Sequence, residues 1–244
     1  MIVRHAGDVL HFITQPDHAR LAGAVMQHDI ALIQHPRRAS ILLAITEHDN
    51  GWTEPDAAPL IDPATGLPRD FISAPIAVRQ GVWPRGVARL SHEPWAAALV
   101  AQHAIAILER YRSDSAWTQF FAEMEDTRET MLRASGVALE ELQADYRFLG
   151  FGDLMSLTFC NDWTDRQQLD AWSVRLSGSQ VLVSPDLFGG VSIPITIDAK
   201  EIRRRTFRSD ADLRDELAAA PITTIRGIVA GVEADPLRRE LPRR

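Results

Sequence analysis

His48 and Asp49 stand together near the end of an otherwise apolar run, Ser40-Ile-Leu-Leu-Ala-Ile-Thr-Glu-His-Asp-Asn-Gly-Trp52. An imidazole beside a carboxylate can bind a transition metal, move a proton, or form an ion pair. At 3.6 residues per turn, Ile41, Ala44, Ile45, His48 and Asp49 share one helical face. A stripe that begins as Ile and Ala thus ends in two polar groups, and burying them requires hydrogen bonds or a metal. Gly51 is expected to end this helix in the left-handed conformation. His48 and Asp49 are the candidate catalytic pair.

Other segments aim the same kinds of side chain at their apolar faces. Thr14, Pro16 and Asp17 form a helix start, with Thr14 as N-cap and Asp17 at the capping-box position. The helix that follows carries His18, Leu21, Ala22 and Val25 on one stripe. Leu99, His103 and Ile107 share a face of a helix from about Trp95 to Tyr111, and His92 stands at its start. Leu149, Asp153, Ser156, Leu157 and Cys160 share a face of a long helix over Glu140 to Cys160. His18, His48, Asp49, His92, His103 and Asp153 are the candidate metal ligands. They offer nitrogen and oxygen but no sulfur, which suits Fe, Mn, Ni, Co or Zn, as one or two divalent ions.

Plainer roles exist for each. A histidine on an apolar stripe ordinarily bonds a carbonyl in the core, and a lone aspartate can cap a helix or pair with arginine. His28 and Asp29 form a second His-Asp pair near the end of the first helix, where a histidine suits the dipole. His5, His11 and His35 fall on hairpin or loop and are expected at the surface. Arg20, Arg37 and Arg38 flank the ligand helices and could fork onto a phosphate, although solvated helix ends account for them as well. Ser156 and Cys160 are expected to pack rather than react. Trp52, Trp83 and Trp95 suit a pocket wall or the core.

The elements that must position these groups follow from periodicity and turn chemistry. Met1 to Arg4 and Val9 to Ile13 predict a β-hairpin. Pro36 opens the His48 helix. Thr53 to Pro75, punctuated by Pro55, Pro59, Pro63, Pro68 and Pro75, predicts a long irregular loop of the kind that forms a lid or pocket wall. Ile76 to Arg89 is helical but broken by Gly81, Pro84 and Gly86, and Ala116 to Arg133 forms a polar-faced helix. From Trp172 the period changes to alternation: Trp172 to Ser177, Gln180 to Val183, Val191 to Ile197 and Thr223 to Val229 predict strands, with a short helix over Asp210 to Ala220. The expected fold is α+β in a single domain. A mainly helical body covers about 14–165, and a small antiparallel sheet from about 166–235 is joined by the hairpin at 1–13. The tail from Arg238 to Arg244 is expected to fray.

The chain has 244 residues and a formal net charge of −7, which argues against general affinity for nucleic acid or an anionic membrane. Cys160 is its one cysteine, which excludes an internal disulfide framework. No apolar run approaches the ~18 residues of a membrane span, and no signal-peptide core is visible, so a cytoplasmic protein is expected. The C-terminal sheet would be its surface for a partner or a homodimer.

The order His18, His48-Asp49, Asp153 on successive helices resembles the HD-domain superfamily of metal-dependent phosphohydrolases. That resemblance implies a first metal held by these four residues. His92 and His103 look like the extra ligands of its binuclear branch, with Asp49 bridging two ions. The implied activity is hydrolysis of a small phosphorylated substrate; the alternatives are a di-iron oxygenase of the same superfamily and a non-enzymatic helical binding module with structural histidines. No Gly-Tyr-Pro signature of the cyclic-dinucleotide branch is present. Three segments, Ile13-Thr-Gln-Pro-Asp-His-Ala-Arg-Leu-Ala-Gly23, Glu47-His-Asp-Asn-Gly-Trp52 and Asp153-Leu-Met-Ser-Leu157, resemble more closely an uncharacterised bacterial family, domain of unknown function 3891. This second resemblance covers most of the chain and implies no assigned reaction.

Overall fold

Thr14 caps the first helix as its position predicts: its hydroxyl accepts from the Asp17 amide at 3.1 Å, and Pro16 occupies the first turn of α1 (Gln15–Met26). The computed structural model describes residues 1–233. A one-turn α2 (Ile30–Ile33) follows, capped by buried Asp29, and then α3 (Arg38–Glu47). His28-Asp29 thus serves a helix start rather than a helix end. The passage after Trp52 holds α4 (Thr53–Ala57) and an Ile61–Pro68 bridge, and its Phe71 amide bonds the Met1 carbonyl at 2.9 Å. This is an ordered wall rather than a structureless loop. The segment α5 (Ile76–Arg89) runs unbroken through Pro84, because burial of Val82, Trp83, Gly86 and Val87 outweighs the lost backbone bond. Then come α6 (Pro94–Leu108), α7 (Thr118–Ser135), α8 (Leu139–Cys160) and, among the strands, α9 (Asp210–Ala219).

Strands β1 (Ile2–Ala6) and β2 (Val9–Ile13) form the N-terminal hairpin. They join β3 (Gln167–Leu169), β4 (Trp172–Ser177), β5 (Gln180–Ser184), β6 (Ile193–Arg203) and β7 (Ile222–Gly231) in a seven-stranded sheet ordered β1-β2-β6-β7-β5-β4-β3. The fold is α+β, but the sheet is larger than expected and mixed. After α9, β7 returns antiparallel to β6 and so lies parallel to β5, with Val181 opposite Val229. Periodicity gives each strand its faces and leaves its neighbour undetermined.

The core explains why the helices stay close. Strand β6 alternates, with Ile193, Ile195, Ile197 and Ala199 buried and Pro194, Thr196, Asp198 and Lys200 exposed. The buried set joins one continuous apolar cluster with residues of α1, α3, α5, α6, α7 and α8. A smaller cluster of Leu10, Phe12, Ile202, Phe207, Leu213 and Leu217 seats α9 at the β2–β6 end. Among the described residues, no helix is long and apolar enough to cross a membrane. The tail from Arg238 to Arg244 lies outside the described residues.

Candidate metal centre

The His-Asp pair is built by a helix that stops early. Helix α3 ends at Glu47, His48 keeps helical angles (φ −56°, ψ −33°), and Asp49 (φ −104°, ψ 17°) leads into a 3₁₀ turn over Asn50–Trp52. Gly51 does not end the helix in the left-handed conformation. It is needed for close approach instead, since a Cβ there would lie 1.9 Å from the Val82 carbonyl oxygen. The turn therefore docks against α5. On the other side, a Cβ at Gly23 of α1 would lie 2.2 Å from Thr46 Oγ1 of α3. Lack of side chain at these two positions brings α1 and α5 close to the pair.

Three histidines and two aspartates from four segments converge there. His18 is 0% exposed, His48 and His103 are each 1%, Asp49 is 4% and Asp153 is 9%. His18 Nε2 lies 2.7 Å from Asp49 Oδ2, and His48 Nε2 lies 3.7 Å from the same oxygen and 3.3 Å from Asp153 Oδ1. His103 Nε2 is 3.7 Å from Asp153 Oδ2. Two groups of ligand atoms meet within 4.8 Å, His18–His48–Asp49 and His48–His103–Asp153, and they share His48. Ligands each ~2.0–2.2 Å from one ion stand roughly 3–3.4 Å apart, so either group could hold an ion once its side chains draw together.

Each imidazole is held by its other nitrogen. His48 Nδ1 donates to the Ile45 carbonyl at 2.8 Å; a carbonyl only accepts, so the neutral ring carries its lone pair on Nε2. Ser156 donates its hydroxyl proton to the Asp153 carbonyl at 3.0 Å, so its oxygen accepts from His18 Nδ1 at 2.9 Å, which leaves Nε2 as the nitrogen facing the centre, in a 2.7 Å hydrogen bond to Asp49 Oδ2. His103 Nδ1 meets the Tyr146 hydroxyl at 3.2 Å. Partners that fix the second nitrogen are the usual support of metal-ligating histidines. His48 Nε2 and Asp49 Oδ1 are buried without hydrogen-bond partners, which a bound ion would satisfy.

The electrostatics reflect five buried ionisable groups. Burial alone would push His48 down, but the Asp49 and Asp153 carboxylates and the Ile45 carbonyl raise it to about 9 from 6.5. Burial would raise Asp153, yet His48, His103 and His18 hold it at about 2. His103 is lowered to about 4, chiefly by burial, and burial pushes the Tyr146 phenol up.

His92 does not join them. It stands exposed in the turn before α6, because the helix begins at Pro94 and buries its face from Trp95 onward. The suggested phosphate arginines also point elsewhere: Arg20 pairs with Asp17, Arg37 with Glu141 and Asp145, and Arg38 bonds the Gln27 carbonyl. His35 meets buried Asp145 at 3.2 Å and His11 meets Glu201 at 2.9 Å. Ser156 is a support of His18 rather than a packing residue; it and Tyr146 lie on the α8 face of Asp153, at helical offsets of +3 and −7, where the sequence already placed the aspartate. Cys160 is buried, which pushes its thiol up and leaves it inert.

A cavity of about 390 Å³ opens onto Asp49, His103 and Asp153. Its walls include Trp52, Trp83, Trp163 and, from the proline-rich passage, Phe71 and Ile72; Arg79 and Arg110 also line it. Trp95 does not, as its indole donates to Asp145 in the core. No curated protein and no solved structure matches the chain. A family model does match, over residues 1–209. On that match, the chain belongs to the family described as "Protein of unknown function (DUF3891)".

Proposed function

We propose that this chain is a metal-dependent hydrolase of a small phosphoester, with an HD-like centre in which His18, His48, Asp49, His103 and Asp153 hold one divalent ion of Fe, Mn, Ni, Co or Zn. One observation carries the reading: the Nε2 atoms of three histidines converge on two carboxylates at the buried end of a cavity, while each Nδ1 is hydrogen-bonded elsewhere. A single ion is favoured over two. Neutral His48 Nε2 has one lone pair for the two groups that share it, and His92 is too exposed to complete a second set.

When bound, such an ion supplies a water of pKa near ~7 and positive charge for the phosphoryl oxygens. The chain's own residues supply the rest. Asp49 lines the cavity, so a carboxylate oxygen that does not hold the ion is placed to take the proton of an attacking water. His103 stays neutral at pH 7, so it can give its lone pair rather than repel a cation. Trp52, Trp83 and Phe71 narrow the approach and exclude bulk water.

The test is elemental analysis of untagged protein, wild type beside Asp49→Ala, followed by assay on 4-nitrophenyl phosphate. About one transition-metal ion per chain, lost in the variant together with hydrolysis, is the expected result. No metal after reconstitution with Mn, Fe or Zn would leave a binding module with structural histidines, and iron with oxygen uptake but no hydrolysis would mark an oxygenase.

A further inference from the structure

The end of the cavity away from the metal ligands carries a charge of its own. Arg79 stands one helical turn before Trp83, whose ring is 5.6 Å from His103. Arg110 follows His103 by seven residues, roughly 10 Å along a helix axis. Both guanidinium groups gather on Tyr111, with Cζ 5.0 Å and 4.9 Å from its ring centroid, and Arg79 lies also 5.2 Å from the Trp117 ring. Neighbouring arginines are neutralised: Arg85 and Arg89 pair with Glu54, and Arg112 pairs with Glu109 and Glu125. Arg79 and Arg110 have no carboxylate partner among the described residues. Arg79 Nε and Trp52 Nε1, both on cavity-lining residues, are buried without hydrogen-bond partners. Buried donors left unpaired in this way call for a ligand or water.

The rest of the lining is mostly apolar: Ile107 and Leu108 lie between His103 and Arg110 in the chain, Trp83 follows Arg79 by one turn, and Leu154 and Leu157 follow Asp153, with Gln15 as a further polar side chain. The cavity is therefore divided: buried carboxylates and imidazoles at one end, a largely apolar waist, and two unneutralised guanidinium groups at the more exposed end.

We infer that the substrate is an elongated molecule bearing a second anionic group, carboxylate or phosphate, joined through an apolar segment to the phosphoester, and that Arg79 and Arg110 bind this second group. The inference rests on the hydrolase reading for its reacting end. Stacking on Tyr111 and Trp117 fixes the guanidinium of Arg79 while its N–H edge remains able to fork onto an oxyanion. The largely apolar waist matches an aryl or alkyl segment.

The test compares three non-hydrolysable probes by calorimetry on metal-loaded protein: phenylphosphonate, 4-carboxyphenylphosphonate and the longer 4′-carboxybiphenyl-4-ylphosphonate. In wild type, a carboxylate at one of the two lengths should tighten binding about tenfold, as expected of a charge-assisted pair. In Arg79→Gln/Arg110→Gln the ratio of affinities with and without the carboxylate should fall to about one. Circular dichroism and metal content of the same samples verify that the variant is folded and loaded. No gain from the carboxylate at either length, or a gain that survives in the variant, would overturn the inference. Wild type that holds no metal but still prefers the carboxylate probes through these arginines would retain the anion site and remove the hydrolase. If no probe binds, both fall.

Discussion

At the scale of single residues, the supports of the histidines matter as much as the ligands. Ser156→Ala removes the acceptor of His18 Nδ1 and leaves a buried ring nitrogen without a partner. Metal affinity is expected to fall about 10–100-fold, as is usual when such a support is lost, with the fold intact; titration with a chelator of known affinity measures it. The metal-free centre also makes a prediction in pH. His48 is raised to about 9 from 6.5, so its contribution to stability is fully present below pH 6.5 and is lost as pH rises toward 9. His103 is lowered to about 4, so below pH 6.5 the unfolded chain binds the extra proton and stability falls as pH drops toward 4. Metal-free protein should therefore be most stable near pH 6.5. Urea unfolding at pH 4.5, 6.5 and 8.5 gives the comparison, and a flat profile would contradict these buried charges.

At the scale of elements, the centre depends on where helices stop and how closely they approach. The turn after α3 lies against α5 because residue 51 has no side chain. In Gly51→Ala the added carbon meets backbone rather than a movable side chain, so a loss of about 1–3 kcal/mol or more is expected in urea unfolding. Thr46 could rotate away from a Cβ at Gly23, so Gly23→Ala should cost less. The proline-rich passage was legible as a pocket wall from its composition, and Phe71 and Ile72 place it there. Helix α5 was harder to read, since Gly81, Pro84 and Gly86 each weaken a helix locally while its buried face holds it together. Tertiary packing overrides propensity in such a segment.

For the whole molecule, the centre ties together helices that are far apart in sequence. His18, His48, His103 and Asp153 come from α1, the end of α3, α6 and α8. An ion bound only by the folded chain should stabilise all of them together: at a hundred times its dissociation constant the gain is about 2.7 kcal/mol. Thermal unfolding should shift down on chelation and recover when metal is restored, whereas Asp49→Ala should show no shift.

The amino-acid pattern by itself determined which helix faces carry His18, His48, Asp49, His103 and Asp153, because a stripe of period 3.6 is a local property and a polar residue on it is visible without a fold. It determined the hairpin, the late strands and the α+β class for the same reason. Only the tertiary structure decided what those faces meet. It excluded His92, whose helix start is exposed, and gave Ser156 and Tyr146 their roles, because a hydrogen bond across 138 residues leaves no local trace. It set β7 between β5 and β6, since strand alternation fixes faces and not neighbours. And it brought Arg79 and Arg110 to the cavity in place of Arg20, Arg37 and Arg38, because which cations remain unpaired depends on which carboxylates folding brings within reach.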